Sequence, residues 1–253
     1  MDFRTYERLH KELASGSAVC VRKSDFLADG METQAMMYRQ KRNYENLDKA
    51  MFIGAGAFDI PRIRAETPAA PQSWISFNYA KSCKNPADTG LHFFVDDYQF
   101  TRLWTSPDAY LDLLRCFKAV CTPDFSTYID FPVAVQIWAH YRKHWLGAYW
   151  QAHGIPVIPT ISWSDERSFE WCFDGEPCGG AVAVSSVGTQ NNKRAAALFR
   201  RGYDEMLRRL NPSVIYFYGT VPEGISGHIV RVEAFQEIMK KRINSGNSAE
   251  SVV

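Results

Sequence analysis

Residues 181–218 read AVAVSSVGTQNNKRAAALFRRGYDEMLRRLNPSVIYFY. The first seven of these residues form a short apolar run rich in Val, and Val214, Ile215, Tyr216, Phe217 and Tyr218 form another; both carry a strand signal. Between them, over 191–210, Ala196, Phe199, Tyr203, Met206, Leu207 and Leu210 recur at helical spacing, with Arg194, Arg200, Arg201, Arg208 and Arg209 on the opposite side. A strand, a long helix and a second strand, with no hairpin turn between them, make a parallel pair joined by a crossover helix.

Toward the N-terminus the same alternation repeats. Strands are expected at 74–79, 91–96, 120–122 and 155–161. A helix with Tyr110, Leu113, Leu114 and Phe117 on one side starts at Ser106-Pro107-Asp108, where Ser suits the cap and Pro the first helical position. A longer helix carries Ala134, Ile137, Trp138, Tyr141, Trp145, Ala148 and Tyr149 and stops before Gly154. Six strands are legible, and a seventh or eighth is expected within the first seventy residues. The fold class that follows is α/β with a mainly parallel sheet, an open or incomplete β/α (TIM-like) barrel with an N-terminal extension; 253 residues suit one such unit.

The chain divides into an N-terminal cap or arm at 1–70, a β/α core at 71–243 and a tail at 244–253. The arm holds a helical pattern at 2–13 (Phe3, Tyr6, Leu9, Leu13), a short strand at 18–21, a polar stretch at 39–49 and a Gly-rich segment at 54–61. The tail is short and polar, and disorder is expected there.

Composition removes several classes of function. The chain is 46% hydrophobic and 14% aromatic, enough apolar surface for a packed core. With 29 basic and 28 acidic residues, the net charge of +1 gives no general pull toward nucleic acid or an anionic membrane. The arginine-rich helix side therefore reads as a solvated outer face. The start of the chain lacks the apolar stretch of a secretory signal, and no run is long enough to span a bilayer, so a cytoplasmic protein with no membrane partner is expected. Six cysteines without a Cys-x-x-Cys pair read as reduced thiols; Cys172 and Cys178 stand further apart than the tight pairs of closed zinc sites.

In parallel α/β architectures chemistry sits at the carboxyl ends of strands, where loops converge and helix N-termini point. Asp96 and Asp97 end one expected strand and Asp124 follows the next, so these three are the candidate acid, base or metal-holding residues, through oxygen ligands to a divalent ion if one is used. Asn78, Tyr98, Ser126, Trp163, Ser185 and Tyr218 stand at the same edge as candidate substrate contacts, the aromatic ones suited to stacking on a sugar or base. Thr189 and Asn191 follow Gly188 between a strand and a helix, a place that can hold phosphate or carboxylate. The same residue types also serve as helix caps and turns, and that reading stays open beside the catalytic one. His140 and His144 are four apart on a helix but lack the Glu of a zincin motif, and they are expected on a hydrated face. A nucleotide, a nucleic acid or a sugar-like molecule is the partner class this mouth suggests. A non-catalytic binding protein is the competing reading.

Several runs carry a family resemblance: His92 to Phe100 (HFFVDDYQF), Pro123 to Tyr128 (PDFSTY), Gly147 to Gln151 (GAYWQ) and Val157 to Trp163 (VIPTISW). Together they resemble the bacterial and phage domain-of-unknown-function family 4417, over roughly 54–219. The resemblance implies a phage or mobile-element setting and carries no catalytic assignment with it.

Overall fold

The computed structural model describes residues 44–234 and 237, and the backbone of Cys20 and Val21. The helix expected at 2–13, the first five residues of the polar stretch at 39–49 and the tail at 244–253 lie outside the described residues. Of the strand expected at 18–21, Cys20–Val21 (β1) pairs antiparallel with Met51–Phe52 (β2), and Gly54–Ala55 (β3) pairs antiparallel with Ile60–Pro61 (β4).

Among the described residues seven parallel strands carry the fold. Ser73–Ser76 (β5), Thr89–His92 (β6), Ala119–Cys121 (β7) and Val157–Ile158 (β8) hydrogen-bond in that order. Ala181–Ser185 (β9), Val214–Tyr218 (β10) and Ile229–Val232 (β11) form a second parallel sheet with β10 in the middle. One parallel bridge, Thr160 to Ala183, joins the two: Ala183 N–H donates to Pro159 O at 2.9 Å and Ile161 N–H to Ala183 O at 2.8 Å.

Among the described residues four α-helices accompany these strands: α1 (Arg102–Thr105), α2 (Leu111–Arg115), α3 (Val133–Ala152) and α4 (Lys193–Leu210). The period-two alternation of the strands decides what each side buries. Val182, Val184, Ile215 and Phe217 pack with Phe199, Tyr203, Met206 and Leu210 of α4, while Ala181, Ala183, Val214, Tyr216 and Tyr218 join the main core. Burying each of the larger side chains contributes about 1.5–3 kcal/mol against its exposure. Trp74 of β5 meets Tyr216 of β10 at 4.9 Å between ring centroids, and His92 of β6 meets Tyr218 at 4.7 Å. Strands far apart in the order therefore touch across one interior, and the sheet curls. Small residues make room for the large ones: the ring of Trp74 lies over Gly90. Among the described residues β5 and β11 are not hydrogen-bonded, so the sheet is not closed.

Residues 46–66 lie on this core. The Trp145 indole donates to Ala50 O at 3.1 Å, Ile63 N–H to Gly175 O at 2.9 Å and Ala181 N–H to Glu66 O at 2.8 Å. The buried Gln151 amide accepts from Arg64 N–H at 2.8 Å and donates to Arg64 O at 3.0 Å, imitating a strand partner.

Several expectations are corrected. The seventh parallel strand among the described residues is β11, near the C-terminal end of the core, while the described strands of the first seventy residues, β1 to β4, pair antiparallel. The strand expected at 74–79 stops at Ser76 and turns into a 3-10 helix, Phe77–Ser82, and the one expected at 91–96 stops at His92. His140 and His144 are not on a hydrated face: α3 is buried on most sides from Ala139 to Gln151, and both imidazoles are shut from solvent. Ser106 makes no side-chain cap bond, whereas Asn192 Oδ1 caps α4 by accepting from Ala195 N–H at 2.8 Å.

Candidate functional site

The carboxyl ends of the parallel strands surround an open cleft of about 760 Å³. Ser76 and Asn78 reach it from the end of β5, Phe94 to Gln99 from the loop after β6, Asp124 and Ser126 from the loop after β7, Ser185 from β9 and Tyr218 from β10. A smaller hollow of about 260 Å³ shares Phe94, Asp124, Ser126, Tyr128, Ser185 and Val187 with it and extends to Trp163, Thr189 and Phe199. Ten of the eleven candidate residues thus border one mouth. Asn191 is exposed and lines neither hollow.

The loop after β6 is tied to the loop after β7 by one carboxylate. Asp97 accepts from Ser126 N–H at 3.1 and 3.3 Å through its two oxygens, and from Ser126 Oγ at 2.8 Å. Its own carbonyl accepts from Thr101 N–H and Oγ1, which starts the turn into α1. Asp96 is exposed on the rim. Asp124 sits deeper. Burial pushes its carboxyl up to about 6; the Lys143 side chain draws it down and the nearby Asp97 pushes it up. Near neutrality such a group exchanges a proton readily.

Aromatic rings form the floor. Phe94 stacks on Tyr218 at 4.7 Å and 22°, and His92 packs against both, at 5.6 and 4.7 Å. Phe94 N–H donates to His92 Nδ1 at 3.3 Å, which fixes Nδ1 as a lone-pair nitrogen, and burial lowers the His92 pKa to about 3. The imidazole is therefore a neutral packing ring at physiological pH. Trp163 packs on Phe199 at 5.4 Å and lies so close to α4 that only a glycine, Gly202, fits beneath its indole. Tyr98 is 79% exposed and projects from the rim.

Thr189 and Ser186 shape the loop before α4: Thr189 Oγ1 donates to Ser186 O at 2.8 Å and Ser186 Oγ to Thr220 O at 2.7 Å. Four arginines of α4 are occupied. Arg200 donates to Glu223 O and Gly224 O, Arg201 pairs with Glu166, and Arg208 and Arg209 both pair with Glu205. This is the behaviour of a solvated, tied-down helix face, as expected.

Two features were missed in the sequence. Lys143 is buried on α3 and reaches Thr160 O at 2.8 Å, and its charge acts on Asp124. Glu176, in the loop before β9, lies wholly inside and meets both Lys143 and His144. The signal was available in α3, which carries Trp, Leu, Gly, Ala and Tyr on all sides of its second half; a helix apolar all round is a buried helix, and its polar residues then need partners. Among the described residues, the His, Cys, Asp and Glu side chains whose ligand atoms gather closely enough to share an ion are His140, His144 and Glu176, not the three aspartates of the mouth.

Residues 52–236 match the family described as Domain of unknown function (DUF4417). The chain belongs to this family. The DUF4417 region runs from β2 to just beyond β11, and so holds every strand of the parallel sheets and the whole mouth. The chain is also similar to the Gene 1 protein of Mycobacterium phage D29, 39% identical over 193 residues that cover 75% of this chain and 71% of that protein. It is equally similar to the Gene 1 protein of Mycobacterium phage L5, at 39% identity over 75% of this chain and 84% of the relative. No solved structure matches. Among the described residues no helix is long and apolar enough to cross a membrane.

Proposed function

We propose that this DUF4417 chain is an enzyme of a phage or mobile element, working inside the cell, with an open β/α barrel at 71–243 and residues 1–70 as its cap. Its strand-end mouth takes a sugar-like or nucleoside-like molecule and acts on a glycosidic bond. The observation that carries this reading is Asp124: a half-buried carboxyl raised to about 6, in a cleft lined by two further aspartates and, among the described residues, by no Lys, Arg or His. A carboxyl with that pKa can donate a proton to a leaving-group oxygen near pH 7. Asp97, held by Ser126, and Asp96 supply negative charge toward the positive charge that develops on a sugar ring as the bond breaks. The stacked Phe94 and Tyr218 suit the apolar face of a sugar or the plane of a base. An acidic cleft with no basic side chain repels phosphate, so the uncharged sugar or nucleoside is preferred to a nucleotide or a nucleic-acid backbone.

The competing reading, a binding protein without catalysis, is favoured by one feature. Tyr128, Ile129, Phe131, Val133 and Val135 form an exposed apolar run beside the mouth. The two readings separate in a thermal-shift and calorimetric screen of free sugars, nucleosides and their 5′-phosphates. Stabilisation by an uncharged member, weakened in its phosphate and lost in Asp97→Ala, supports the proposed ligand class. Turnover that falls about a hundredfold or more in Asp124→Asn, with binding kept, supports catalysis. Stronger binding of the phosphates, or no binding by any member, would overturn the reading.

A further inference from the structure

Beside Lys143, α3 and the loop at 171–178 enclose a polar cluster whose residues do not line the cleft. One nitrogen each of His140 and His144 and an oxygen of Glu176 lie within 4.8 Å of one another, with both imidazoles and the carboxylate shut from solvent. We propose that His140, His144 and Glu176 are the protein ligands of a divalent transition-metal ion of the zinc class, and that Lys143 holds the Glu176 carboxylate in the ion-free protein.

The hydrogen bonds around the two imidazoles are those of ligands held ready. His144 Nδ1 meets Pro61 O at 2.8 Å and His140 Nε2 meets Asp174 O at 3.1 Å. A carbonyl only accepts, so these nitrogens carry protons; His140 Nδ1 is left to offer a lone pair, and His144 Nε2, which donates to the Glu176 carboxylate in the ion-free protein, offers one when an ion displaces that proton. Fixing one ring nitrogen on a backbone carbonyl is how proteins orient metal-binding histidines. His144 Nε2 stands 2.9 Å from Glu176 Oε1. Two ligand atoms that each lie about 2 Å from a shared ion stand roughly 3 Å apart, so this pair needs little rearrangement.

Glu176 supplies the second, independent sign. Its Oε2 is buried and has no hydrogen-bond partner, while Oε1 takes Lys143 Nζ at 2.7 Å and Thr160 O shares the same lysine at 2.8 Å. A carboxylate with one oxygen idle in the interior has unused capacity for a cation. The backbone presses the loop onto the histidine: Gly175 has φ +76°, and a Cβ there would come within 2.9 Å of His144 Nδ1 and 2.6 Å of Pro61 O. Two imidazoles and one carboxylate suit zinc, iron(II) or cobalt(II), and disfavour magnesium and calcium, which take oxygen ligands. An arriving ion takes over Glu176 and releases Lys143 to Thr160 and toward Asp124. Because the cluster is closed to solvent, the ion loads as the loop docks on α3 during folding.

The test is to unfold the full chain in chelator and refold it with Zn²⁺ or Co²⁺, remove unbound metal by gel filtration, and measure metal content and melting temperature. The expected result is about one ion per chain, visible absorption from bound Co²⁺, and a melting temperature raised by roughly 5 °C or more when zinc is added back at about a hundred times the dissociation constant. Glu176→Gln and His144→Asn should each weaken zinc binding by at least about a hundredfold, and Lys143→Met, which removes the competing ammonium, should strengthen it about tenfold or more. Wild-type protein that refolds with zinc and retains none would overturn the proposal, whatever the variants do. So would undiminished metal in both ligand variants, which would place the ion elsewhere, or a Lys143→Met melting temperature indifferent to zinc, which would leave a metal-free ion network.

Discussion

Lys143 Nζ stands 2.7 Å from Glu176 Oε1 with both side chains closed to solvent, and the same lysine acts on the carboxyl of Asp124 at the floor of the mouth. One buried cation thus acts on two acids, Glu176 in the closed cluster and Asp124 in the mouth. Burial alone raises the Glu176 carboxyl, but Lys143 and His144 outweigh it and hold it below the usual glutamate value, whereas Asp124 is raised.

Removing either member of the buried pair leaves an uncompensated charge in the interior. In the ion-free protein Lys143→Met or Glu176→Gln should each cost about 3–5 kcal/mol, and the double variant less than the sum. Urea denaturation measures this. A loss below about 1 kcal/mol in both single variants would show that the pair contributes little to folding.

Asp124 predicts a pH-dependent gain. Its folded pKa, about 6, lies above the ordinary aspartate value of 3.8. The folded state therefore binds the proton more tightly than the unfolded one, and the contribution is favourable below 3.8 and lost as the pH rises through 6. Asp124→Asn should stabilise the protein by about 1–3 kcal/mol at pH 8, and the gain should vanish near pH 4. His92 slopes the other way: its depressed pKa gives stability that is present above pH 6.5 and lost as the pH falls toward 3. Melting curves of Asp124→Asn from pH 4 to 8 with a constant difference from wild type would contradict the assignment.

Gly202 lies under Trp163, where an added Cβ would come within 2.2 Å of the indole. Gly202→Ala should push that ring toward the smaller hollow at a cost of about 1–3 kcal/mol, although alanine is the better helix former. Tryptophan fluorescence and melting temperature together read this. An unchanged spectrum with raised stability would mean that the ring accommodates the methyl without moving.

The thiols should divide into two classes. Cys116 and Cys178 are exposed, while Cys121 and Cys172 are buried, with burial raising Cys172 to about 12 and Cys121 above the usual thiol range. A thiol reagent should modify the first two in the folded protein and the second two only after unfolding. Fast labelling of Cys121 or Cys172 would show that the core opens easily.

The legible parts of the fold are those where local pattern and tertiary use agree. β10 matches its expected bounds because Val214 to Tyr218 is buried on both faces and reads as an unbroken apolar run. β8 is shorter than expected because Pro156 and Pro159 interrupt the ladder, and β11 escaped notice because Val230 and Arg231 are exposed and dilute its apolar signal. At the mouth, Asp97, Asp124 and Trp163 follow from one rule about strand ends. Lys143 and Glu176 do not, since their meaning arises only when α3 meets a loop more than thirty residues away. Polar residues on a helix read as solvated until the helix proves to be surrounded.

The bridge from Thr160 to Ala183 rests on two hydrogen bonds, while on its other side β9 is held to β10 along the whole of Ala181–Ser185. Pro159 has no N–H to add a third, so this line works as a crease between two leaves. Amide exchange should then report Ile161 and Ala183 as the first sheet positions to open, ahead of the centre of β10. Trp163 and Ser185 stand on opposite sides of that crease, and both border the smaller hollow. A substrate too bulky for the resting mouth would thus find its extra room along the fold line, with neither leaf having to unravel.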